Sequence, residues 1–180
     1  MTTGDPGTDV SVTNSGTEEE AVLDFVIPRG MPGSAGTPEV LATVDTTTQP
    51  TTANGALVFN ETPLVSGTAI THTAGSPDIE INQDGIYQAT FTGTVLIDPG
   101  TTIPSSILTR LTLNKTAVTG AAARHTFTAS AEVVSVSFSV PFQVTGAGTL
   151  EVTVSEAGFS FQDASLTVFR LGDSTNIRTA

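Results

Sequence analysis

Residues 86–97 alternate strictly between two sets of side chains, and no other feature constrains the fold as strongly. Successive side chains of a β-strand point to opposite faces, so each set occupies one face. The two sets are Ile86, Gln88, Thr90, Thr92, Thr94 and Leu96, and Tyr87, Ala89, Phe91, Gly93, Val95 and Ile97. The first set is mostly polar and the second apolar, which predicts a long strand with one buried face.

Short β-type runs recur from residue 39 to residue 172, and no helical period lasts longer than one turn. In residues 133–144 the apolar side chains share one face, as Val134, Val136, Phe138, Val140 and Phe142. Turn residues separate the runs, with Asn60–Pro63 interpreted as a turn and Gly120–Ala123 as a flexible loop. The pattern predicts an all-β, antiparallel jelly-roll β-sandwich.

The charge balance excludes some partners. The chain has 18 acidic and 6 basic residues and a formal net charge of −12, so we expect no nucleic-acid binding. It has no cysteine, which excludes disulfides and thiolate metal sites. No long apolar run and no basic-then-apolar leader occurs, so we expect no membrane insertion and no signal peptide.

Residues 1–29 contain a separate β-type segment. Val10–Thr13 alternates apolar and polar residues, and an apolar run follows from Ala21 to Ile27. An isolated hairpin is marginal in water and cannot bury such a run. Three copies around one axis could bury it, so the segment predicts a homotrimer. Its predicted trimer-interface residues are Val22, Phe25 and Ile27.

Residues 30–38 read in threes as Gly-Met-Pro, Gly-Ser-Ala and Gly-Thr-Pro, with Gly30, Gly33 and Gly36 in register. Collagen requires this period because only glycine fits where three polyproline-II strands meet. The run therefore predicts a short collagen-like connector, and a Gly/Pro-rich linker that falls in phase by chance is the alternative. Residues 4–9 form a second such fragment.

The N-terminal segment resembles a repeat module found beside collagen-like tracts in phage fibres and in bacterial surface proteins. The residues that carry the resemblance are Val10 to Thr17 and Ala21 to Gly30. It implies a trimeric fibre or stalk and no particular chemistry.

The larger segment resembles the trimeric jelly-roll heads of the tumour-necrosis-factor and complement globular-domain superfamily, nearest to the phage and bacterial branch. The residues that carry this resemblance are Gly85 to Phe91, Phe59-Asn60 and Ala164 to Phe169. It implies that Tyr87 and Phe91 build the trimer contact or the adjoining core.

The search for catalytic chemistry is negative. His72 and His125 are the only imidazoles, and neither belongs to a known catalytic motif. Glu80–Gly85 faintly resembles the start of a calcium loop, but Phe91 stands where the bidentate glutamate belongs. We therefore expect no enzyme activity, no cofactor and no metal site in the chain; a cation on the threefold axis of a trimer is the open alternative.

These observations predict four segments: a stalk or anchoring module at 1–29, the connector at 30–38, a jelly-roll head at 39–172 and a tail at 173–180. The expected function is that of a structural and adhesive virion protein, a homotrimeric bacteriophage fibre or decoration protein. Its N-terminal module would join a capsid or tail component, and its tip would bind a host surface glycan or protein.

The alternative is a collagen-like, exosporium-type glycoprotein of a bacterial cell or spore surface. Such a surface protein would have a protective role and no discrete ligand. In the adhesive fibre the exposed loops are expected to make the contact, and the candidates are residues 46–54, 98–105 and 115–124.

Overall fold

The computed structural model describes residues 2–30 and 36–174. They fall into two compact units, Met1–Gly36 and Thr37–Ala180. Both units are built from β-strands, and no α-helix occurs in the described residues. Accordingly, no described helix has the length and hydropathy needed to span a membrane.

The N-terminal unit is a three-stranded sheet of β1 (Thr2–Gly4), β2 (Ser11–Asn14) and β3 (Leu23–Pro28). Strand β3 lies in the middle, parallel to β1 and antiparallel to β2. The side chain of Asn14 organises the β2–β3 connection, because its Oδ1 accepts the N–H groups of Gly16 and Val22, each at 3.0 Å. Gly16 is required there, since a Cβ at this position would lie 2.1 Å from the carbonyl oxygen of Glu20.

The collagen-like interpretation of residues 4–9 is wrong. Gly4 ends β1 and pairs with Pro28, and a turn follows in which Thr8 donates its N–H and its O–H to the carbonyl of Asp5. Gly7 takes a positive φ of 82° in that turn. The connector is a different case, because residues 31–35, including Gly33, lie outside the described residues and its collagen-like nature stays a prediction.

The larger unit is a sandwich of two sheets in which every strand pairing is antiparallel. Its strands are β4 (Val40–Asp45), β5 (Gln49–Pro50), β6 (Glu61–Ser66), β7 (Ile70–His72), β8 (Ile79–Ile81), β9 (Gly85–Ile97), β10 (Ser105–Leu113), β11 (Thr116–Phe127), β12 (Val133–Val144), β13 (Gly148–Val154) and β14 (Phe159–Gly172). The first sheet has the order β12-β9-β14-β4-β6, with β5 beside β14, and the second has the order β11-β10-β13-β8-β7. The predicted jelly-roll sandwich is confirmed.

The alternation in β9 and β12 places their apolar sets in the core between the sheets, as predicted. Tyr87, Ala89, Phe91 and Val95 are fully buried. Phe91 stacks on Phe138 of β12, with ring centroids 5.2 Å apart. Burial of this aromatic and aliphatic surface is the main stabilising contribution to the fold.

Two local interpretations of the sequence are wrong. Gly120–Ala123 lies inside β11 and is not a loop; Gly120 takes a positive φ of 84° within the strand. Glu61–Pro63 begins β6 and is not a turn; proline is tolerated there because β6 is an edge strand. Residues 159–172 form one long strand, which a β-bulge between Gln162 and Ser165 keeps in register with β9.

The strand directions define two ends of the sandwich. Strand β4 begins and β14 ends at what we call the proximal end, which also carries the connections 82–84, 114–115 and 145–147. The opposite, distal end carries the connections 98–104, 128–132 and 155–158, together with the loop that follows β4.

Candidate functional site

The N-terminal sheet has an uncovered apolar face, which we call the N-terminal face. Its members are Val10, Val12, Leu23, Phe25 and Ile27, with exposed fractions of 64%, 52%, 53%, 38% and 45%. Val12 lies directly opposite Phe25 in the strand pairing, and Leu23 and Ile27 follow at two-residue spacing on the same side of β3. None of residues 2–30 is buried, so this sheet has no core of its own.

Two of the predicted interface residues, Phe25 and Ile27, therefore lie side by side on the N-terminal face. Val22 precedes β3 and is 55% exposed, outside that alternation. A contiguous apolar surface on a soluble protein marks a site of interaction. A trimer interface at these residues stays a prediction.

The first sheet of the sandwich has an outer face almost free of charge, which we call the uncharged face. Its outward-pointing residues on β12, β9, β14 and β4 are Val133, Ser135, Ser137, Ser139, Pro141 and Gln143; Ile86, Gln88, Thr90, Thr92, Thr94 and Leu96; Ser165, Thr167, Phe169 and Leu171; and Val40, Ala42 and Val44. None of these is charged, and two charged side chains border them: Asp163, in the bulge of β14, and the exposed Glu61 of the edge strand β6, which pairs with Val44. In a chain with a net charge of −12, this face presents few carboxylates to repel a second acidic body.

Large apolar side chains are exposed on this face. Phe169 is 43% and Leu171 is 61% exposed on β14, and Leu64 is 49% exposed on β6. Local sequence does not identify Phe169 and Leu171 as outward-facing, because large apolar residues occur in both phases of the alternation in residues 166–171. Only the strand pairing determines which of these side chains point outward. It places Phe169 opposite Val40 and Gln88.

Tyr87 and Phe91 both lie in the core, one of the two places that the resemblance implied. Each has an exposed fraction of 0%. Tyr87 stacks on Phe142 with centroids 6.0 Å apart, and its hydroxyl donates to the carbonyl of Gln83 at 2.8 Å. Because both rings are fully buried, they can contribute to a subunit contact only indirectly, by positioning the side chains that pack around them.

The loops at the distal end are joined to one another by hydrogen bonds. Ser160 donates its O–H to Asp98 at 2.6 Å, and Thr101 donates its O–H to the carbonyl of Gly158 at 3.0 Å. Residues 46–54 and 98–105 contribute to this end. Residues 115–124, predicted as a contact loop, instead form the turn after β10 and most of β11, an edge strand that starts at the proximal end. The distal end is therefore a preorganised surface built from two of the three predicted loops.

A buried carboxylate, Asp45, organises the loop that follows β4. It is 2% exposed and accepts the N–H and O–H of Thr47 at 3.0 and 2.7 Å, the amide of Gln49 at 2.9 Å and the amide of Asn60 at 3.1 Å. Burial acts to raise the pKa of Asp45, but the four hydrogen bonds outweigh it and hold the pKa below its usual value. The hydrogen bonds of this carboxylate fix the conformation of the loop that follows β4, at the distal end.

Both histidines have structural partners. His72 bonds to Thr62 Oγ1 at 2.7 Å through Nδ1 and to the carbonyl of Ser76 at 3.0 Å through Nε2. His125 Nε2 lies 2.6 Å from Glu132, whose other carboxylate oxygen accepts the N–H of Thr128. That backbone hydrogen bond, with His125, lowers the pKa of Glu132. Among the described residues no group of three or more histidine, aspartate or glutamate side chains is placed to share a metal ion.

The sandwich is similar to two groups of solved structures. Murine APRIL, crystallised at pH 5.0, superposes with a TM-score of 0.60 at 11% identity, covering 74% of this chain and 99% of that one. The globular domain of zebrafish complement 1qA superposes with a TM-score of 0.54 at 10% identity, covering 76% of this chain and 99% of that one. The head has the jelly-roll fold of these proteins. No protein-family model matches the chain. No curated protein matches its sequence.

Proposed function

We propose that this chain is a non-enzymatic structural and adhesive protein that works as a homotrimer, a bacteriophage fibre or decoration protein whose distal end binds a host surface. The observation that carries the proposal is the N-terminal face, an apolar sheet surface that its own chain leaves uncovered. The resemblance of the head to trimeric jelly-roll heads supports the same assembly. Both histidines are committed to structural hydrogen bonds, which favours a role without catalysis.

Covering one half-exposed aliphatic or aromatic side chain stabilises by roughly 1 kcal/mol. Burial of the five side chains of the N-terminal face in each copy therefore contributes to association, and a second contact between the heads adds to it.

The uncharged face is suited to be that second contact. Three copies together carry a formal charge of three times −12, so contact through acidic surface would be strongly repulsive. On the uncharged face, Ser, Thr and Gln side chains alternate with Phe169, Leu171 and Leu64, as at interfaces that mix polar and apolar area. The heads can therefore approach each other there without bringing carboxylates together.

The distal end is the part of the head that we assign to the host. Its loops are joined to one another by hydrogen bonds, so binding costs little loss of loop entropy. The test measures labelled protein on host bacteria and on an array of cell-wall glycans. A matched pair of variants locates the contact: Ala53→Arg at the distal end and Ala147→Arg at the proximal end, both at exposed alanines.

We expect Ala53→Arg to reduce binding and Ala147→Arg to leave it unchanged. An equal loss in both variants, or no binding to any cell or glycan, would contradict a distal adhesive surface. Antibody-decorated negative-stain imaging tests the location, with label expected on virions. Label on bacterial cells or spores instead would favour the alternative, a collagen-like surface glycoprotein.

A further inference from the structure

Positive charge in the head is concentrated on the outer face of the second sheet. Three of the four basic residues described in the head lie on β10, on β11 or in the turn between them, namely Arg110, Lys115 and Arg124. The two strands themselves contain no aspartate and no glutamate. In a chain with 18 acidic and 6 basic residues, this face is therefore an exception that calls for an explanation.

Strand pairing places Arg110 and Arg124 next to each other on that face. The core-facing side chains of β10 are fully buried, and they are Ile107, Thr109 and Leu111. The alternate residues, Leu108 and Arg110, therefore point away from the core. Arg124 is opposite Leu108, so it stands diagonal to Arg110 at a cross-strand distance of about 7–8 Å. We call Arg110 and Arg124 the arginine pair.

Neither arginine of the pair has a carboxylate partner among residues 2–30 and 36–174. The salt bridges of those residues are Lys115–Glu151, His125–Glu132 and Arg170–Asp173. Glu151 is the acidic residue of the neighbouring strand β13, two positions from the partner of Arg110. It is 3% exposed and already accepts the ammonium group of Lys115 at 2.6 Å. Both guanidinium groups therefore remain available to a ligand.

The surroundings of the arginine pair suit a sugar polymer. Thr153 is opposite Arg110, and Ser106 and Thr126, the next outward residues toward the distal end, hydrogen-bond to each other at 2.7 Å. Hydroxyl groups can donate to and accept from the hydroxyls of a sugar. The partly exposed Leu108 lies between the two arginines and offers apolar surface for the C–H groups of a sugar ring.

The arginine pair lies on the flank of the head, close to the distal end. Strand β11 ends there at Phe127, three residues beyond Arg124, which corresponds to about 10 Å along the strand. Arg124 also belongs to residues 115–124, one of the predicted contact segments. A polymer bound at the distal loops can therefore continue across the arginine pair.

We propose that the arginine pair binds an anionic polysaccharide of the host surface through its phosphate or carboxylate groups. This inference rests on the proposed adhesive function and adds the chemical class of the ligand and two contact residues. Guanidinium groups form bidentate hydrogen bonds with both kinds of anion. At physiological ionic strength the Debye length is about 8 Å, so more distant carboxylates of the chain are largely screened from a ligand that touches the pair.

Binding of the full chain to defined polymers tests the proposal. The probes are poly(glycerol phosphate), which carries phosphates, polygalacturonate, which carries carboxylates, and uncharged dextran. We expect binding to at least one anionic probe at about 0.15 M salt, weaker binding at about 0.5 M salt, and no binding to dextran. The anionic probe that binds more tightly identifies the anion.

Substitutions with a charge-matched control assign the binding to the arginine pair. Arg110→Gln and Arg124→Gln should each lower the affinity for the bound probe at least tenfold, because each removes charge-assisted hydrogen bonds. The control Arg29→Gln removes the same charge from an exposed position of the N-terminal unit and should leave the affinity unchanged. Since neither arginine of the pair forms a salt bridge within the described residues, both variants should unfold at the temperature of the parent.

Each other outcome overturns the proposal. Equal affinities in all three variants would place the contact elsewhere. Dextran bound as tightly as the anionic probes would remove the role of charge, and single-stranded DNA bound as tightly would indicate unspecific attraction of polyanions. Failure to bind either anionic probe, in a protein that still labels host cells, would reject the arginine pair and leave the adhesive function standing. Failure to bind probes and cells alike would remove the proposed function as well.

Discussion

The two units of this chain differ in whether their apolar residues are exposed or buried. In residues 2–30 every valine, leucine, isoleucine and phenylalanine except Val26 is exposed, and none is buried. In the sandwich, the aromatic and aliphatic residues of β9, β12 and β14 interdigitate in a closed core. A sheet of three such short strands with no covered face has little to stabilise it, whereas the sandwich is large enough to bury its own core. The comparison teaches that the sandwich can derive its stability from its own fold, while the N-terminal sheet has an apolar face that its own strands leave uncovered.

The largest effect is expected where the sandwich depends on its own core. Phe91→Ala removes a fully buried ring that stacks on Phe138 and lies 6.2 Å from Phe161. The free energy of unfolding of the head should fall by about 3–5 kcal/mol. Chemical denaturation followed by circular dichroism measures it, with the exposed Thr119→Ala as a control expected to change stability by no more than about 0.5 kcal/mol. A loss under about 1 kcal/mol for Phe91→Ala would mean that the head, too, is held by its partners.

The second prediction concerns the carboxylate that shapes the distal loop. Asp45→Asn removes the charge that accepts four hydrogen bonds, and should destabilise the head by about 2 kcal/mol at neutral pH. The pKa of Asp45 is lowered in the folded state, so its contribution is complete above the usual aspartate pKa, 3.8, and is lost as the pH falls through the lower folded value. Denaturation at several pH values should show a steeper loss below 3.8 in the parent than in the variant, and parallel curves would contradict this.

The third prediction concerns the N-terminal face. Phe25→Ser should leave the unfolding of the head unchanged and raise the dissociation concentration of the assembly about tenfold, which corresponds to about 1.4 kcal/mol. Light scattering on a dilution series measures it. The control is Thr13→Ala, which lies on the opposite face of the same sheet. If Phe25→Ser instead lowered the stability of the head and left dissociation unchanged, the contrast between the two units would be lost.

The smallest expected effect is a gain in stability. Thr109 is fully buried in the core of the sandwich, and its hydroxyl has no hydrogen-bond partner among residues 2–30 and 36–174. Replacement by valine keeps the shape and removes the unpaired hydroxyl, so Thr109→Val should raise stability by about 1 kcal/mol. Thr43→Val is the matched control, because the equally buried Thr43 hydroxyl donates to the carbonyl of Leu166. A thermal-unfolding comparison that ranks the control above Thr109→Val would reject this account of the core.

The sequence predicted most of the fold where one face of a strand is buried. In β9 and β12 burial forces strict alternation, so the pattern alone assigns each side chain to its face. Residues 116–127 lack that signal, since they form an edge strand with small residues and a positive φ at Gly120. They form a strand because they pair with β10, and the local sequence does not contain the information on that pairing.

The surfaces were harder to predict than the core. The exposure of Phe25 and Ile27 could be predicted, because a short segment has too few residues to cover an apolar run. Phe169 and Leu171 were missed because their neighbours Leu166 and Val168 are equally apolar, and only strand pairing decides which pair faces solvent. The groove lined by Leu113, Val118 and Phe142 depends on how the edge strands β11 and β12 of different sheets meet, which no local pattern encodes.

The mass of the full chain in solution, measured by light scattering over a wide range of concentration, tests the central claim most directly. The account predicts one species close to three times the 18.4 kDa of a single chain, dissociating only on strong dilution. A single chain that stays monomeric and folded throughout, with Phe25 and Ile27 still open to solvent, would contradict it.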